Sequence, residues 1–115
     1  MSLPYYEFSS SHWSAIPTSS ADSYFQKVAQ LLQEWSTGKQ LFTLHSSGST
    51  GTPKPIELTR EQMQASAIAT ATALSLPKGT SVLIALNVEM IAGFMMLVRT
   101  MVNDWSATVI TPKSD

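Results

Sequence analysis

Ser46-Ser47-Gly48-Ser49-Thr50-Gly51-Thr52-Pro53-Lys54 contains two glycines and five hydroxyl side chains and ends on a lysine between two prolines. Each component suits the holding of a polyanion. Gly48 and Gly51 permit positive φ, so successive backbone N–H groups can turn inward as an anion nest. The hydroxyls of Ser46, Ser47, Ser49 and Thr50 can donate further hydrogen bonds to phosphate-type oxygens, and Lys54 brings a mobile point charge to the same place. Pro53 restrains the exit of the loop.

The flanks of this stretch set the fold class. Gln40 to His45 reads as a short strand with Leu41, Phe42 and Leu44 apolar, and it enters the loop with no linker between. Pro55-Ile56-Glu57-Leu58 is extended, since a proline at its head resists helix. Thr59 is placed to cap a helix, and Gln62 three positions on completes a capping box. The helix behind it, about Arg60 to Leu74, is dense in Ala and in small Ser and Thr side chains. That composition predicts a largely buried element. Pro77-Lys78-Gly79 marks a turn. Ser81 to Leu86 is a continuous apolar run suited to a buried parallel strand. Met90, Gly93, Phe94, Leu97, Val98 and Met101 recur at helical spacing, and Ala107-Thr108-Val109-Ile110 after Trp105 reads as a further strand. Strand, helix, strand, helix, strand predicts an α/β fold, mostly parallel strands with crossover helices.

Upstream, residues 1–21 show no sustained period and read as an irregular lead-in that packs through Tyr5, Tyr6, Phe8 and Trp13. Ser20 is a candidate helix cap, with Asp22 favourable in the first turn. Phe25, Val28, Ala29, Leu32 and Trp35 then recur at helical spacing, and Gly38 ends the run.

The 115 residues fit one domain. Charged residues are only 13% of them, about half the usual ~25%, which predicts that much of the surface is covered by something else. A formal net charge of -1 without basic runs argues against nucleic acid or an anionic membrane as partner. The chain has no cysteine, so thiol nucleophiles, disulfides and Cys-based metal sites are excluded. The start lacks the basic and apolar regions of a secretory signal. The longest apolar stretch, Met90 to Val102, is too short to span a bilayer and contains Arg99. A cytoplasmic location is the simplest expectation.

By composition alone, the Ser46–Lys54 stretch reads first as a flexible linker. Its direct attachment to a strand and its rigid Pro-Lys-Pro ending favour the phosphate reading. It is not a Walker A loop, because two residues separate Gly48 from Gly51 and Lys54 is not followed by Ser or Thr.

Position for position, Ser46 to Lys54 resembles the Ser/Thr-Ser-Gly-Ser/Thr-Thr-Gly-x-Pro-Lys signature of the acyl-adenylate-forming superfamily, which includes the AMP-forming acyl-CoA synthetases. The order of elements over about residues 40–111 is similar too. The resemblance implies that residues 1–115 are a partial N-terminal domain of an ATP-dependent acid–CoA ligase. In it Ser46, Ser47, Gly48, Ser49, Thr50, Gly51, Thr52, Pro53 and Lys54 would bind ATP, with Mg²⁺ held elsewhere and CoA as co-substrate. Leu44 to Gly51 and Ile91 to Arg99 look most like the short o-succinylbenzoate–CoA ligases of menaquinone biosynthesis. Pro55 departs from the glycine usual after the lysine. Asn87 and Met90 stand where many relatives have proline and histidine, so no acyl-pocket role is carried to either. The family's adenine-, ribose- and magnesium-binding residues and its catalytic lysine are expected in the remainder of the same enzyme, and no catalytic residue is assigned here. This stretch alone is expected to be inactive.

His45, beside the loop, could touch ATP or the substrate carboxylate, or be a locally bonded strand-end residue. Arg99 could meet the acid's carboxylate, or form a structural ion pair, or snorkel to the helix edge. Glu89 is a helix N-terminal residue favoured by the dipole, and the methionines are adaptable packing. Two other readings stay open: an adenylation domain loading a carrier protein, and a non-catalytic phosphate-binding or interaction module.

Overall fold

The computed structural model describes residues 5–13, 23–46 and 52–112. Strand β1 (Tyr5–Ser9) precedes helix α1 (Ser23–Ser36) and strands β2 (Leu41–Ser46) and β3 (Lys54–Thr59). Helix α2 (Arg60–Leu74), strand β4 (Ser81–Ile84), helix α3 (Ile91–Asn103) and strand β5 (Ser106–Ile110) follow.

Two sheets result. In one, β5 lies between β1 and β4. Its pairing with β4 is parallel, from Ser81 opposite Ser106 to Ile84 opposite Val109, and α3 provides the crossover. Its pairing with β1 is antiparallel, Tyr5 opposite Ile110 and Ser9 opposite Ser106. The other sheet is the antiparallel hairpin of β2 and β3. Alternation along β2 buries Phe42 and Leu44 and leaves Leu41, Thr43 and His45 exposed, as period-2 side-chain placement requires.

The core lies between α1, α3 and the two sheets. Phe25, Val28, Leu32 and Trp35 come from α1, Phe94, Leu97 and Val98 from α3, and Ile84, Ala107 and Val109 from the larger sheet. Phe42 joins them, its ring 5.8 Å from Trp35 and 5.2 Å from Phe94. Tyr6 packs edge-on to Phe25 at 4.6 Å. Gly38, at φ +97°, ends α1 as its position after the periodic run predicts. The capping box is present in both directions: the Gln62 amide donates to Thr59 Oγ1 at 3.1 Å and the Thr59 amide to Gln62 Oε1 at 2.9 Å. Arg60 fastens the start of α2 to the end of α1. Its guanidinium lies 3.9 Å over the Trp35 ring, donates to the Trp35 carbonyl, and reaches the Lys39 carbonyl at 3.0 Å. A cation at a helix C-terminus and over an indole face is favourable twice.

The α/β class holds, and four sequence expectations change. Residues 5–9 of the supposed irregular lead-in are a strand, because β5 offers them an antiparallel edge. Among the described residues two of the three strand pairings are antiparallel, and the parallel expectation holds for β4 with β5 and for the isolated bridge of His45 with Met90. β4 stops at Ile84, short of Leu86, and Leu83 and Leu86 are exposed. In α2 only Met63 and Ala67 are buried, against the expectation of a largely buried helix. The expected cap Ser20 and the first-turn Asp22 lie outside the described residues.

The segment between β4 and α3 is fixed by two features. The Tyr24 hydroxyl accepts from the Val88 amide at 3.0 Å and donates to the Leu86 carbonyl at 3.2 Å. Burial, and secondarily the nearby Glu89 charge, raise the Tyr24 phenol above its ordinary 10.0, against a lowering by the Val88 bond. Gly93 lets the first turn of α3 approach that segment: a Cβ there would lie 2.1 Å from the Asn87 carbonyl oxygen.

Gly93→Ala is therefore expected to destabilise the fold by about 1–3 kcal/mol, because backbone must move to admit the methyl; a urea midpoint equal to that of the parent chain would refute it. Tyr24→Phe is expected to lose about 1–2 kcal/mol. A raised phenol pKa favours the folded state below the ordinary value and that advantage is lost as pH rises through the folded one. The Phe variant should thus lose less stability than the parent as pH rises above the phenol's ordinary 10.0. An identical alkaline decline in the two proteins would remove Tyr24 from the explanation.

Candidate functional site

The β2–β3 hairpin delivers the glycine-rich stretch. Its register runs without interruption from Leu41 opposite Thr59 to His45 opposite Pro55 and Ser46 opposite Lys54. The two ends of the motif are thus held side by side across one ladder position, while Ser47, Gly48, Ser49, Thr50 and Gly51 lie outside the described residues. Thr52, Pro53 and Lys54 are exposed and Ser46 is half-buried. Pro55 sits within β3, which a two-stranded sheet tolerates because it presents edges on both sides.

A second element reaches the same place. His45 forms a parallel bridge with Met90, and Met90 is the N-cap of α3 with no side-chain cap bond. The amino end of α3, the positive end of its dipole, therefore adjoins the last turn of chain before the loop. Sequence reasoning found the helix but not this adjacency. The only clue was the absence of a Ser, Thr, Asp or Asn at position 90.

Beside the bridge, Lys27, Leu31, Thr43, His45, Val88 and Glu89 line a cavity of about 230 Å³. Its floor is apolar and its rim carries one amine, one imidazole and one carboxylate. A larger groove of about 360 Å³ runs along the outer side of α1, from Ser23 and Tyr24 to Gln30; it does not include His45. The smaller cavity includes His45, the residue that precedes the motif.

The other candidates are placed as follows. His45 is exposed, at the cavity rim, within one ladder step of Ser46. Glu89 shares that rim and its amide bonds Asn87 Oδ1 at 2.9 Å. Arg99 is nine residues along α3 from Met90, roughly 13 Å by helical rise, so the fold does not bring it to the loop entry. It makes no ion pair among the described residues: one guanidinium nitrogen faces Met96 Sδ at 3.4 Å, and its buried Nε has no hydrogen-bond partner. Among the described residues, no group of three or more His, Asp or Glu could hold a metal ion.

Comparison with known proteins places this geometry. The chain is similar to an acyl-CoA synthetase (AMP-forming)/AMP-acid ligase II-like protein from Dyadobacter fermentans, at 43% identity and a TM-score of 0.88. That match covers 96% of this chain and 31% of the other, so the chain spans about a third of that relative's length. It is also similar to the N-terminal domain of FACL13 from Mycobacterium tuberculosis, at 22% identity and a TM-score of 0.52, over 64% of this chain and 18% of that one. The second likeness concerns the fold alone. No protein-family model and no curated protein matches the chain. The chain has the mixed α/β fold of the N-terminal domain of acyl-CoA synthetase structures, and the 43% identity to the first of these neighbours supports the acyl-adenylate-forming superfamily.

Proposed function

We propose that Ser46 to Lys54 hold the phosphates of ATP in an AMP-forming acid–thiol ligase of which this chain is the N-terminal part. The observation that carries this reading is the hairpin. A stretch with hydroxyls, two glycines and a lysine joins strands paired up to Ser46 and Lys54, in a chain whose fold follows an AMP-forming ligase over 96% of its length.

The chemistry assigned to the whole enzyme has two steps. A carboxylate oxygen of the acid attacks the α-phosphorus of ATP, the bond to the bridging oxygen breaks, and pyrophosphate leaves with its electron pair. The thiol sulfur of CoA then attacks the acyl carbonyl, AMP leaves, and the thiol proton is lost to solvent or base. In the first step the backbone amides and hydroxyls of the loop orient the β- and γ-phosphates and stabilise the charge that collects on the departing pyrophosphate. Lys54 adds a positive charge to the same oxygens. Positioning and electrostatics of this kind dominate phosphoryl chemistry. Mg²⁺, when bound, shares the phosphate charge; the hydroxyl and ammonium groups of this stretch suit phosphate oxygens, and the metal's protein ligands are assigned to the rest of the enzyme. The amino end of α3 beside His45 adds to the positive potential at the loop entry.

o-Succinylbenzoate is the proposed acid, in menaquinone biosynthesis, on the likeness of Leu44 to Gly51 and Ile91 to Arg99 to short ligases for that acid. A cytoplasmic location accompanies the reading; among the described residues no helix is long and apolar enough to cross a membrane.

ATP–pyrophosphate exchange with o-succinylbenzoate, on the protein of the full reading frame, tests the assignment. Lys54→Ala and Thr50→Ala are each expected to lower exchange by about 100-fold or more, the loss typical of one preorganised donor. Unchanged exchange in both variants would sink the phosphate role. Exchange supported only by other acids would replace the substrate, and transfer to a carrier-protein thiol in place of CoA would replace the acceptor.

A further inference from the structure

Helix α2 is apolar on two sides. Met63 and Ala67 pack inward, and Asn103 of α3 donates to the Ala67 carbonyl at 3.0 Å. On the opposite side Ala65, Ile68, Ala69, Thr72 and Ala73 share one exposed face at helical spacing, with Ile68 54% exposed. No charged residue occurs between Glu61 and Lys78. A solvent-facing helix ordinarily carries charge on its outer side, and this face carries none. The face also lacks the charges that keep exposed apolar surface from associating.

The same imbalance recurs at the sheet. β4 is an open edge strand with Leu83 61% exposed, although strands in parallel pairing are ordinarily covered on both faces. The whole chain carries only 13% charged residues. The solved relative that it follows over 96% of its length has about two thirds of its own chain beyond the match.

We infer that the outer face of α2 is an intramolecular interface, covered by the apolar surface of the rest of the same polypeptide. This rests on the reading of the chain as the N-terminal part of a longer ligase. The occupant is that remainder and not a second copy of this chain. The small side chains of Ala65, Ala69 and Ala73 let its backbone or large apolar residues approach closely, and Ile68 supplies the one large apolar side chain on that face. The covering keeps the helix that follows β3 from moving independently of the loop hairpin.

Because the chain has no cysteine, single cysteines report coverage directly. Ala69→Cys and Ala65→Cys probe the face, and Ser36→Cys, exposed at the end of α1, is the control. Each is labelled with a thiol reagent in the product of the full reading frame, folded and in denaturant. In the folded protein, labelling at positions 65 and 69 is expected to slow by about 100-fold relative to the control, as burial against opening to solvent requires. Rates at both positions equal to that of the control would overturn the inference and leave the ligase reading standing. A reading frame ending at Asp115 would overturn both. Protection that grows with protein concentration would assign the face to a second copy and overturn the stated occupant.

Discussion

Phe42 lies between Trp35 of α1 and Phe94 of α3, and this three-ring cluster couples the loop-bearing hairpin to the rest of the molecule. The hairpin forms its own two-stranded sheet, and among the described residues its one isolated β-bridge to the elements around the larger sheet is His45 with Met90. A lone hairpin is marginal in water. Its position must therefore come from side-chain burial, and Phe42 and Leu44 are the β2 residues that supply it. Aromatic contacts of this kind contribute about 0.5–1.5 kcal/mol beyond the area they bury. The stretch from Ser46 to Lys54 is thus presented by a ladder whose inner face is anchored in the core and whose outer face is free.

The constraint also explains why the site borders where it does. Burial of Phe42 and Leu44 turns Thr43 and His45 outward, and the bridge to Met90 brings the start of α3 against the end of β2. Gly93 permits the close approach of α3 to the Asn87 carbonyl, while the Tyr24 hydroxyl holds Leu86 and Val88. Core packing, helix placement and the mouth of the loop are consequences of one arrangement.

Local signals in the sequence proved the most legible. The Thr59–Gln62 capping box needs four residues to be recognised, and the α1 stripe from Phe25 to Trp35 has one period and a glycine stop. What was not legible depends on distant partners. Tyr5–Ser9 is a strand because β5 stands a hundred residues away to pair with it, and nothing in its own alternation requires that. β4 ends at Ile84 because the next residues are drawn to Tyr24, 62 residues upstream of Leu86. Arg99 has the look of a binding residue on an apolar helix, and among the described residues its guanidinium meets Met96 and forms no ion pair. The composition of α2 announces a buried helix, yet among the described residues only Met63 and Ala67 of it are buried. For the site, the motif itself was read from its residues, whereas the convergence of His45 with the amino end of α3 needed the fold.

The central claim is that the hairpin loop binds phosphate, and the amide resonances of the chain titrated with magnesium pyrophosphate test it most directly. The account predicts saturable shifts concentrated at Gly48, Ser49, Thr50 and Gly51, weakened by Lys54→Ala, with the α1 and α2 resonances still. Shifts spread evenly over the exposed lysines, or none at Gly48 to Gly51 in a chain whose remaining spectrum is that of the folded protein, would contradict it.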